Sequence, residues 1–104
     1  MELKEIKSVT LYKFSDKKNK QVGIYVEPTA PSRGRLIICT QHRIFNRFFD
    51  GCGPDLHTFL SKQSAESISS CFNEDYSDYD YLVEYLKDVW PLFVAQIKTS
   101  TINS

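Results

Sequence analysis

The 104-residue chain nowhere contains eighteen consecutive apolar residues, which excludes a helix that crosses a bilayer. An excess of charge of one sign is missing too. Lys and Arg total 13 and Asp and Glu total 13, so no global field draws the molecule to DNA, RNA or an anionic lipid surface. The three cysteines, Cys39, Cys52 and Cys71, show no C-x-x-C spacing, and the close ligand pairs of a structural zinc site are therefore lacking. The opening "MELKEIKSVT" carries charges where a secretory signal needs an apolar run. The expectation is a cytoplasmic protein with free thiols. Phosphate loops are absent as well, because "GCGPD" has neither a third glycine nor the Lys-Ser/Thr pair.

What the chain does have is apolar material, 41% hydrophobic and 13% aromatic, with seven Phe and six Tyr. That is enough for one modest core in one domain, residues 1–104. Its charges are unevenly placed. Arg33, Arg35, Arg43 and Arg47 follow one another without an acid between them, whereas Glu74, Asp75, Asp78, Asp80, Glu84 and Asp88 are offset only by Lys87. A basic and an acidic region follow.

"LKEIKSVTLYKF" is rich in β-branched and aromatic residues and ends at the polar run "SDKKNK", so it reads as a strand and a turn. In "QVGIYVE", Val22, Ile24 and Val26 alternate with polar or small residues, the period of a second strand. "PTAPSRG" breaks the chain, and the unbroken Leu36, Ile37, Ile38, Cys39 run in "RLIICTQ" predicts a central strand buried on both faces. The stretch "RIFNRFFDGCGPD" fits either one face of a short helix or a fourth strand; its run of six residues before Gly51 favours the strand.

Pro54 at a first helical position, Asp55 in the first turn and the apolar Leu56, Phe59 and Leu60 predict a short helix. Ser64 caps a second, with Ala65, Ile68 and Phe72 inward. The last helix is the clearest: Ser77 as N-cap, acids in the first turn, and Tyr79, Leu82, Val83, Leu86, Val89, Trp90, Phe93, Val94 and Ile97 at three- and four-residue steps to about Lys98. Pro91 inside it should kink it near Lys87, and "TSTINS" reads as a frayed tail. The fold class is α+β: an antiparallel sheet of about four strands from the N-terminal half, packed against two or three helices from the C-terminal half.

Catalytic chemistry has few carriers. Cys52 before a helix start, with His57 one turn later, has the outline of an activated thiol, but no third orienting residue or oxyanion motif accompanies it. The carboxylates of "NEDYSDYD" stand where helix starts favour acids anyway. No catalytic residue, metal ligand or cofactor is assigned, and the chain is read as a non-enzyme. Two binding surfaces are candidates. Arg43, Phe45 and Arg47, with Phe49, would interleave charge and stacking rings on one strand, as single-stranded nucleic-acid binders do. Glu74, Asp75, Tyr76, Asp78, Tyr79 and Asp80 form an acidic, tyrosine-rich surface suited to a basic groove on a protein.

"GRLIICTQHRIFNRFFDGCGPDLHTFLSK" resembles a loose family of small uncharacterised proteins of tailed bacteriophages and prophages. The shared parts are a strand (Gly34 to Thr40), a turn (His42, Arg43), an aromatic strand (Phe45 to Phe49), a small-residue corner (Gly51 to Gly53) and a short helix with a Phe-Leu pair (Leu56 to Leu60). Arg47 and Asp50 depart from that pattern. The resemblance implies no catalytic residue. It implies a bacterial host cytoplasm and an accessory protein that binds and inhibits a host or defence protein, CRISPR–Cas effectors being one such class. Nucleic acid is the second expected partner, a homodimer is left open, and no membrane is expected.

Overall fold

A computed structural model describes residues 9–15, 18–72 and 76–103; the side chains of Tyr76 and of 100–103 are not part of that description. Four strands come first, β1 (Thr10–Ser15), β2 (Gln21–Ala30), β3 (Arg33–Cys39) and β4 (Ile44–Asp50). Three helices follow, α1 (Leu56–Ser61), α2 (Ala65–Ser70) and α3 (Tyr76–Asn103). The strands form one antiparallel sheet in the order β1-β2-β3-β4. This is the expected α+β architecture, built as a meander in which each strand pairs with its sequence neighbour.

Period-two alternation sends Val22, Ile24, Val26, Leu36, Ile38, Phe45 and Phe49 to the face that the helices cover. Against them α3 sets Leu82, Leu86, Val89, Trp90, Phe93 and Ile97, all at or below 2% exposure, while α1 and α2 add Leu56, Leu60 and Ile68. Burial of side chains of this size contributes roughly 1.5–3 kcal/mol each before the cost of ordering the chain. Tyr12 and Phe93 meet edge to face, with ring centroids 5.1 Å apart, which ties β1 to α3. The Trp90 indole donates to the Gln63 carbonyl at 2.9 Å and so joins α3 to the loop before α2.

The remaining expectations need adjustment at their edges. β3 lies inside the sheet, yet Ile37 and Cys39 are only half-buried, because helices cover one face and leave the other open. The break "PTAPSRG" shrinks to Pro31 and Ser32: β2 runs through Pro28 to Ala30, where a register shift accommodates the proline. Asp55 is the N-cap of α1, not a first-turn residue, and accepts from the Thr58 N–H at 2.7 Å. Ser64 caps α2, as expected, and the Ser67 side chain returns a bond to the Ser64 N–H. α3 already includes Ser77, continues through Pro91, and reaches Asn103 instead of ending near Lys98. Residues 3–8 of the expected first strand lie outside the described residues.

"RIFNRFFDGCGPD" is a strand that ends in a corner. Gly51 and Gly53 have φ of 73° and 79°, values at which a side chain is strained, and this accounts for both glycines. Cys52 between them is 4% exposed, and its N–H donates to the Ser32 carbonyl at 2.8 Å.

Candidate functional site

The turn between β3 and β4 is closed by Thr40: its N–H donates to the Arg43 carbonyl at 2.9 Å, and its hydroxyl accepts from the Arg43 N–H at 3.2 Å. The same hydroxyl is 2.7 Å from the Tyr81 hydroxyl on α3. Arg43 is thereby set at the entrance to β4, facing the first turns of α3. Its guanidinium lies over two rings, 4.7 Å from the centroid of Phe45 and 4.9 Å from that of Tyr81, and donates to Asp78 Oδ1. Cation–π contact and a charge-assisted hydrogen bond converge on one planar cation.

The two surfaces expected to be alternatives are thus joined. Asp78 is 8% exposed and is engaged by Arg43, so it does not face solvent as part of an acidic patch. Tyr79 is half-buried and Asp80 exposed one and two residues on. Glu74 and Asp75 lie outside the described residues, and of Tyr76 only the backbone, at the start of α3, is described.

Arg47 completes the arrangement. Alternation turns it to the same side as Phe45 and Phe49, but β4 is an edge strand and Arg47 stays exposed, its guanidinium 5.6 Å from the Phe49 centroid. Between Arg43 and Arg47 lies a cleft of about 340 Å³ floored by Phe45 and Phe72 and bordered by Cys71 and Asp78. A guanidinium fork at one rim and an ion pair at the other can take polar groups of either sign.

The stacking strand expected for nucleic acid does not form. Phe45 and Phe49 are 6% and 8% exposed and pack on Phe72, with Phe59 also against Phe49, so neither ring face is open to a base. The outline of an activated thiol fails on electrostatics: burial, followed by the nearby Asp50 and Asp55 charges, pushes the Cys52 thiol above its ordinary range. Activation requires the opposite shift. Among the described residues, no group of three or more His, Cys, Asp or Glu is placed to hold a metal ion, and no helix is long and apolar enough to cross a membrane.

No family model, curated protein or solved structure matches the chain. Sequence reasoning missed Thr40 and Tyr81 as supports of Arg43. The signal for Tyr81 was present, since it stands three residues after Asp78 and so shares its helix face.

Proposed function

We propose that the chain is a non-catalytic, phage-type accessory protein that binds and inhibits a host or defence protein, with CRISPR–Cas effectors one class of target. The observation that carries the binding surface is the Arg43–Asp78 pair, which draws the basic strand and the start of the acidic helix around one cleft. Exposed Arg47 and Asp80, half-buried Tyr79 and Tyr81, and the caged Arg43 are residue types from which protein interfaces are built. Arg47 displays positive charge at the cleft, and Asp80, two residues beyond Asp78 on α3, displays negative charge on another face of that helix. That pattern complements a protein surface better than a phosphate backbone of one sign.

The host and defence context, and inhibition by stoichiometric binding with it, rests on the resemblance of residues 34–62 to small phage proteins. Exchanging Arg47 and Asp80 for opposite charges tests the surface, because both side chains are exposed and neither exchange disturbs the core. Loss of a captured protein partner supports the reading. Recovery of nucleic acid in its place favours direct nucleic-acid binding.

A further inference from the structure

The face of the sheet turned away from the helices carries apolar side chains that nothing among the described residues covers. Register lines them up across the strands: Leu11, Tyr25, Ile37 and Asn46 form one row, and Lys13, Gly23, Cys39 and Ile44 the next. Glu27, Arg35 and Phe48 form a third. Leu11, Ile44 and Phe48 are 39%, 71% and 44% exposed. Because Gly23 has no side chain, a shallow cleft of about 250 Å³ opens between Leu11, Tyr25 and Cys39. Knobs and a hole therefore occur on one surface.

Charges on this face are largely matched within it. Arg33 Nε lies 3.7 Å from Asp50 Oδ1, the Arg35 guanidinium donates to Asn46 Oδ1 at 2.9 Å, and Glu27 stands opposite Arg35 on the neighbouring strand. A strongly charged partner finds little to grip, and a second copy is not repelled. Two such faces related by a two-fold axis along the strands set β2 over β3 of the other copy. Glu27 then meets the partner's Arg35, Tyr25 the partner's Ile37, and the gap at Gly23 the partner's Cys39.

We infer that the open sheet face is a contact between two copies of this chain. Four strands about 4.8 Å apart and about seven residues of 3.4 Å each give roughly 450 Å² per copy. Together this is roughly 900 Å², just under the limit of about 1,000 Å² for a stable interface, so the dimer is a weak, reversible one.

Sedimentation equilibrium of the full chain from about 1 to 100 µM tests this. The mass is expected to rise with concentration toward twice the 12.1 kDa of one chain. Ile44→Lys, at a position 71% exposed in the single copy and set opposite the partner's Lys13 by this two-fold, is expected to hold the mass at one chain with an unchanged melting temperature. Alkylation supplies a second measurement: Cys39 is expected to be labelled several-fold more slowly in concentrated than in dilute parent protein, while Cys71, outside this face, shows no such change. A parent that keeps single-chain mass across the range leaves the face to another occupant and overturns the inference. So does an Ile44→Lys chain that dimerises as the parent does.

Discussion

Arg43 and Asp78, thirty-five residues apart, form an ion pair whose carboxylate is nearly buried and whose guanidinium lies over the adjoining rings of Phe45 and Tyr81. Removing either partner has unequal consequences. Arg43→Ala removes the cation paired with a nearly buried carboxylate and is expected to cost about 1–3 kcal/mol, a value kept below that of a fully buried pair because the arginine side chain is 39% exposed. A double-mutant cycle with Asp78→Ala, read by urea unfolding, is expected to give a coupling of about 1 kcal/mol. Additive losses would mean that the pair does not join β4 to α3.

Two glycines at superficially similar strand positions should respond in opposite ways. A Cβ at Gly34 would lie 2.5 Å from Leu56 Cδ2 and 2.7 Å from the Glu27 carbonyl oxygen. Backbone cannot yield as a flexible side chain can, so Gly34→Ala is expected to lower stability by about 1–3 kcal/mol. At Gly23 the nearest atoms are 3.6 Å and 3.9 Å away, ordinary contact distances, and Gly23→Ala is expected to be neutral or slightly stabilising in the single chain. Equal urea midpoints for the two variants would contradict this packing.

Stability should fall on the alkaline side. Burial raises the Cys52 and Cys39 thiols and the Tyr12 hydroxyl above their ordinary values, with Asp50 and Asp55 adding to the shift at Cys52. The unfolded thiols lose protons first, near pH 8.5, so in that region the folded state holds more protons. The stabilisation is complete below that pH and is lost as pH rises through the raised folded values. Urea midpoints are expected to decrease between pH 8 and pH 10, and to decrease less in Cys52→Ala. A midpoint that rises over that interval would contradict the burial of these groups.

Local chemistry made much of the fold legible. Alternation identified β2, the brevity of the Phe-rich run identified β4, Ser64 announced α2, and three- and four-residue spacing marked the core face of α3. What was misread depends on tertiary context. The Leu36–Cys39 run looks like a strand buried twice over, and only the placement of all helices on one side leaves Ile37 half-open. Pro28 and Pro31 look like equal breaks, but the bulge between Pro28 and Ala30 lets β2 continue past the first.

The site was legible as ingredients and not as an assembly. Arg43, Arg47, Asp78 and Asp80 stood out by charge, yet their division into two surfaces ignored that a strand entrance and a helix start can meet. The phenylalanines were misassigned for a physical reason: period two gives Phe45, Arg47 and Phe49 one side, but not which side the helices cover.

The proposed binding surface is tested most directly by capture from bacterial lysate with and without nuclease, comparing the parent with a chain bearing Arg47→Glu and Asp80→Lys. Both exchanges are at exposed positions, so the melting temperature is expected to hold. The parent is expected to retain a protein partner, with retention falling as salt rises, and the doubly exchanged chain to retain at least tenfold less. Equal retention of the same partner by both chains, or retention that nuclease abolishes, would contradict that surface.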